Sequence, residues 1–187
     1  EDENKQLKKM LSSVSQIRNR VKIAQLLAIN LNNYRQEWLV DLGSAEKVYV
    51  GQPAIDAYGI VGQVIDTTKE TSQILLLTDS HSKIPVRNTR NGFRSIATGL
   101  GAGHPMMLLN IQPGADYQVG DVLVSSGLGL RYPQGYPVAR VVKVVDHAAM
   151  GMEQVYLSPI AHFKRTRQVL LVWDPSLKRD QHLERQL

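Results

Sequence analysis

Two adjacent hydroxyls, Ser125 and Ser126, sit directly before Gly127, where a tight turn would present one of them as a nucleophile. Hydrolysis by such a serine also needs a base and an oxyanion hole, with His81 or His104 and one of several aspartates as the conceivable partners. Neither Gly-x-Ser-x-Gly nor any other nucleophile signature surrounds the pair. Sequence order does not exclude a triad, so a β-barrel serine hydrolase using Ser125 or Ser126 stands as the alternative reading. The other chemistry-bearing residues point away from catalysis. His81, His104, His147, His162 and His182 form no close pair of metal-ligand spacing, and there is no cysteine to assist, so neither a metal nor a cofactor is expected. Gly99-Leu-Gly-Ala-Gly103 lacks the fingerprint and crossover helix of a dinucleotide loop and reads as a β connection. Asp66, Asp79, Asp116, Asp121 and Asp146 each fall at a strand end or turn, where a carboxylate accepts local backbone N–H bonds.

Zero cysteines in 187 residues exclude disulfide staples and thiolate chemistry. A net charge of +5 permits anionic partners, but the basic residues gather near the two ends, at Lys5 to Lys9, Arg18 to Arg20 and Lys164 to Arg167. Only eleven Phe, Trp and Tyr are spread along the chain, too few for the stacking platform that single-strand binders add to a basic groove, and no nucleic-acid partner is expected. No run of 18 apolar residues marks a membrane span. If the protein is anchored, the anchor lies outside this sequence.

The elements that position these residues are mostly strands. From Glu1 to about Asn19 the steps of three and four between Leu7, Met10, Val14 and Ile17 predict an amphipathic helix whose seam pairs two copies, with the segment 1–20 as a coiled-coil piece of a longer helix. Val21, Ile23, Leu27, Ile29 and Leu31 alternate instead, which predicts a strand from about Ile23 to Leu31. Eleven further short runs follow: Trp38 to Asp41, Gln52 to Asp56, Gly59 to Asp66, Gln73 to Leu77, Lys83 to Val86, Arg94 to Thr98, Met106 to Leu109, Asp121 to Val124, Pro137 to Val145, Glu153 to Leu157 and Gln168 to Trp173. Turn chemistry such as Asn91-Gly92 and Pro113-Gly-Ala-Asp116 separates them.

Twelve or so strands are too many for one small closed barrel and suit two of about six. The fold class is therefore mainly β: a helix, a first barrel over 21–82, a second over 83–174 whose last strand packs back on the first, and a flexible tail over 175–187. Tyr132 and Tyr136 stand beside prolines in the Gly127 to Pro137 corner, and with Leu130 they are expected either as exposed contacts for a partner or, for the two rings, as plugs of a barrel end.

Taken in order, Trp38-Leu-Val-Asp-Leu-Gly-Ser44, Val50-Gly-Gln-Pro-Ala-Ile55, Gly59-Ile-Val-Gly-Gln-Val64, Leu75-Leu-Leu-Thr-Asp79, Gly120-Asp-Val-Leu-Val-Ser-Ser-Gly-Leu-Gly129 and Tyr132-Pro-Gln-Gly-Tyr-Pro-Val138 resemble the rod shape-determining MreC family. The motif positions are Gly59, Gly62, Gly120, Asp121, Gly127, Gly129, Pro133, Gly135 and Pro137. The resemblance implies a non-enzymatic scaffold on the periplasmic face of the bacterial inner membrane, held by a single-pass anchor. It implies a coiled coil followed by two barrels of chymotrypsin-like architecture without catalytic residues. The implied partners are a second copy, the elongation-specific penicillin-binding transpeptidase, MreD and other membrane proteins of the elongation machinery.

Overall fold

A computed structural model describes residues 20–32, 34–147, 152–175 and 177. Leu7, Met10, Val14 and Ile17 of the expected seam lie outside these residues, as does most of the C-terminal tail. Twelve strands are present among the described residues: β1 (Arg20–Leu31), β2 (Gln36–Val40), β3 (Pro53–Ile55), β4 (Ile60–Thr67), β5 (Ser72–Leu76), β6 (Lys83–Asn88), β7 (Arg94–Thr98), β8 (Met106–Leu109), β9 (Val122–Ser125), β10 (Pro137–His147), β11 (Met152–Pro159) and β12 (Gln168–Trp173). Each answers to one of the runs read from alternation and turn chemistry. β1 starts three residues before the expected Ile23, so Arg20 is a strand residue rather than the end of a helix.

The strands close into two barrels, in the order β1-β12-β3-β4-β5-β2 and β10-β11-β8-β7-β6-β9. Alternation decides the inside of each. Gln36, Trp38 and Val40 of β2 point inward, as do Ile84, Val86 and Asn88 of β6, while their neighbours are half-exposed. The span 83–174 is thus divided, because β6 to β11 complete the second barrel and β12 returns to the first, between β1 and β3.

That return explains why Val169 to Trp173 is an unbroken apolar run. Val169 and Leu171 enter the core of the first barrel with Trp38, Val61 and Ile74, whereas Leu170 and Val172 face the other way. There they join Ile55 and Ile60 against Val138, Leu157 and the rest of the second-barrel core. A strand buried on both faces loses its polar alternation. β12 is therefore the seam between the barrels, and the apolar contact across it is continuous with the second core.

A glycine lets the barrels approach closely, and a buried amide braces β12 within the first barrel. A Cβ at Gly59 would lie 2.5 Å from the carbonyl oxygen of Pro137, so only glycine lets the β3–β4 turn of the first barrel meet β10 of the second. The amide of Gln52, itself buried, donates to the carbonyl of Val172 at 3.2 Å.

Candidate docking surfaces and the serine turn

β9 ends at Ser125, and the chain then runs through Gly127, Gly129 and Gly135, all at positive φ (76°, 76° and 86°), before β10 begins at Pro137. Glycine is needed where the corner turns left-handed. Ser125 is fully buried. Its hydroxyl donates to the carbonyl of Pro133 and accepts the N–H of Tyr136 at 3.0 Å, while its backbone carbonyl accepts the N–H of Gly135 at 2.8 Å. Ser126 Oγ accepts the N–H of Leu128 at 3.3 Å. Both hydroxyls are occupied by the backbone of their own corner, and the hydrolase reading finds no support in this geometry.

His81 and His162 have partners elsewhere. Nδ1 of His81 lies 3.0 Å from Oδ1 of Asp79. Asp79 is buried, which opposes ionisation, but the N–H groups of His81 (2.7 Å) and Gln36 (2.8 Å) hold its carboxyl below the usual range. The pair fastens the link between the barrels to β2. The ring of His162 stacks on Tyr58 with centroids 4.0 Å apart.

Asp121, one of the motif residues, has a structural task. The Arg90 guanidinium bonds both of its oxygens (2.8 and 3.0 Å), and with the Gln118 N–H and the Asn88 amide it lowers the carboxyl to about 2 despite burial. Arg90 also reaches Asp116 at 2.9 Å. As expected from their turn positions, Asp66, Asp79 and Asp121 accept local backbone N–H bonds.

The corner corrects one expectation. Tyr132 is 4% exposed and lies within the second-barrel core, because the bonds from Ser125 to Pro133 and Gly135 fold the loop back over the barrel end. Tyr136 is half-buried against the same core, and burial, aided by the charge of Asp174, pushes its hydroxyl up to about 12. Neither ring is the freely exposed contact expected from its place beside prolines. Leu130 is exposed, and with Leu128 it projects from a short 3-10 turn in which Leu130 itself has φ 54°.

Among the described residues, a further group of exposed apolar side chains lies elsewhere. On β1, Ile23, Leu27, Ile29 and Leu31 are each about half exposed, and Tyr34 beyond the strand is 84% exposed. A register shift between Leu26 and Ala28 turns Leu26 toward the core and leaves Leu27 outside. β12 pairs with β1 only from Arg20 to Gln25. Beyond that point, among the described residues, β1 is bonded on one side only, to β2, apart from the Leu26 N–H to Arg167. The sequence signal for this surface is the absence of any charge from Ile23 to Tyr34, which alternation alone assigned to an ordinary half-buried strand.

The barrels and their motif corners match known proteins. A family model described as rod shape-determining protein MreC, barrel core, matches residues 26–173. The cell shape-determining protein MreC of Haemophilus influenzae is 40% identical over 175 residues, which cover 94% of this chain and 50% of that protein. The chain thus spans about half the length of this curated relative. The crystal structure of MreC from Pseudomonas aeruginosa superposes with a TM-score of 0.78 at 42% identity, covering 82% of this chain and 99% of that one. A chain from a solved complex between penicillin-binding protein PBP2 and MreC of Helicobacter pylori shares the fold, with a TM-score of 0.63 at 14% identity over 82% of this chain and 98% of that one. Double barrel, motif corners and sequence relationship agree: this chain belongs to the MreC family of cell shape-determining proteins.

Proposed function

We propose that the chain is a non-enzymatic scaffold on the periplasmic face of the bacterial inner membrane, which associates with itself and holds an elongation-specific penicillin-binding transpeptidase, together with MreD, where the cell wall is extended. The observation that carries this reading is the set of exposed apolar side chains beside the open edge of β1. Leu27, Ile29 and Leu31 remain in water beside a sheet edge that is bonded on one side only. Large apolar side chains left exposed beside an open edge mark a place where another protein sits, and an uncharged edge lacks the lysines and prolines that keep strands apart. Leu128 and Leu130, held out on a braced turn, offer a second apolar contact. A penicillin-binding protein is the partner in the Helicobacter pylori complex, whose MreC has the same fold, and this supports the same class of partner here. Self-association falls to the helix seam of Leu7, Met10, Val14 and Ile17.

The test is binding of the purified elongation transpeptidase to immobilised wild type and to the Leu27→Asp/Ile29→Asp double variant. Both side chains are already exposed, so the variant folds. A loss of at least about tenfold in affinity is expected, and equal affinity removes β1 from the interface. Changing Val14→Asp and Ile17→Asp together is expected to give monomers by sedimentation, and an unchanged mass overturns the seam.

A further inference from the structure

Past Gln25, the side of β1 that faced β12 carries no strand among the described residues. The register with β2 decides which main-chain groups point there. Leu31 is paired with Gln36, Asn30 with Glu37, Ile29 with Trp38 and Ala28 with Leu39, without a shift along this stretch. The same register continues into the turn, where the Asn32 N–H donates to the carbonyl of Arg35 at 3.1 Å. Asn32 and Arg35 are therefore a hydrogen-bonded pair, and along an antiparallel ladder such pairs alternate with pairs that exchange no bond. Leu31 with Gln36, and Ile29 with Trp38, are of the second kind. Gln36 shows this independently, since its N–H turns away from β1 and donates to Asp79 at 2.8 Å. The N–H and C=O of Ile29 and of Leu31 thus all point to the open side, while those of Asn30 face β2.

Every residue from Leu27 to Asn32 is exposed, and none of these four groups has a hydrogen-bond partner among the described residues. The side chains agree with the backbone. Ile29 and Leu31 stand directly opposite Trp38 and Gln36, which are buried, so both aliphatic side chains lie on the inner face of the sheet and yet are about half exposed. The inner apolar face of the first barrel therefore runs on past the place where β12 leaves it. From Ile23 to Tyr34 the sequence has no charge, although the whole chain carries +5. The edge thus offers a ligand four main-chain groups, with apolar contacts on one face and no charge to answer. A compact ligand reaches one or two of these groups, whereas an extended chain lying along β1 reaches them all.

Resting on the reading of β1 as a docking surface, we propose that the transpeptidase partner enters as a strand: an extended, uncharged segment with apolar residues at alternate positions adds to β1 at Ile29 and Leu31 and continues the sheet where β12 stops. Main-chain bonds to these two residues hold the segment, and its apolar residues prolong the inner face beside their side chains.

The test uses the purified elongation transpeptidase. Leu31→Pro removes one outward N–H, keeps an apolar side chain and leaves the ladder to β2 intact, a change that an edge strand tolerates. The variant is expected to melt like wild type and to bind at least about tenfold more weakly. In wild type, the amides of Ile29 and Leu31 are expected to exchange freely with deuterated water in the unbound chain and at least about tenfold more slowly in the complex, while Asn30 is protected in both. If Leu31→Pro unfolds the chain, the exchange measurement decides alone. Loss of binding in Leu27→Asp/Ile29→Asp with full binding by Leu31→Pro would overturn strand addition and leave β1 a docking surface through its side chains. Full binding by both variants would remove β1 from the interface altogether. Exchange at Ile29 and Leu31 that is as fast in the complex as in the free chain would overturn the proposal. So would a Leu31→Pro chain that binds the transpeptidase normally but sediments at a lower mass than wild type, since the edge would then belong to a second copy.

Discussion

Asp56 and His162, 106 residues apart, are joined through the backbone: Oδ2 of Asp56 accepts the His162 N–H at 2.7 Å. Its other oxygen accepts the N–H groups of Tyr58 and Gly59 at 2.7 and 2.8 Å. One carboxylate therefore closes the β3–β4 turn of the first barrel and grips the crossover by which β12 returns from the second. The Tyr58 ring stacked on His162 covers the junction.

Replacing Asp56 by alanine leaves N–H groups at this junction without an acceptor, which costs about 1–3 kcal/mol for each that stays buried. Asp56→Ala is expected to destabilise the chain by roughly 2–4 kcal/mol. Urea denaturation followed by tryptophan fluorescence checks this, and a loss below about 0.5 kcal/mol, the scale of an ordinary surface substitution, would refute the latch.

The glycine next to it has no room for a methyl group. Gly59→Ala drives a Cβ toward the Pro137 carbonyl, a backbone atom that cannot swing aside. The expected cost is about 1–3 kcal/mol, the range of overpacked sites. A melting temperature equal to wild type would show that the barrels separate freely at this point.

Ser125→Ala removes two bonds of the corner without touching any chemistry. A loss of roughly 1–3 kcal/mol is expected, since the Pro133 carbonyl and the Tyr136 N–H lose a buried partner. A fluorophosphonate probe is expected to label neither wild type nor variant. Labelling that disappears with Ser125 or Ser126 would revive the hydrolase reading.

Acid stability tests the Asp121–Arg90 pair. Because the folded carboxyl is lowered from 3.8 to about 2, its contribution is fully present above the unfolded value and is lost as the pH falls from about 4 through 2. The size is about 2 kcal/mol by linkage, for a side chain that is 6% exposed. Comparing wild type with Asp121→Asn from pH 5 to pH 2, in steps of about half a unit across the range that linkage names, is expected to show wild type losing about 2 kcal/mol more than the variant. Parallel curves would exclude the pair as its source.

How much of this was legible beforehand differs from one element to the next. The twelve strands follow from local rules: side chains alternate at period two, and glycine and proline mark where the chain must turn. The motif corner Gly120 to Pro137 was likewise readable as backbone geometry, because positive φ selects glycine whatever surrounds it. Even the double burial of β12 left a trace in the unbroken apolar run Val169 to Trp173.

Alternation shows that a strand has two faces, but not which of them another part of the chain will cover. That is why Tyr132 and Leu130, two residues apart in one turn, went to opposite sides of the surface, one inside the second core and one in water. Ser125 became a structural residue only because Pro133 and Tyr136 return to it, and Leu27, Ile29 and Leu31 of β1 stay exposed beside an open edge because β12 stops pairing at Gln25. Coverage depends on what remote segments bring to a place. The residues alone determined the strands, the turns and the family, and the tertiary structure decided which faces were left for other proteins to meet.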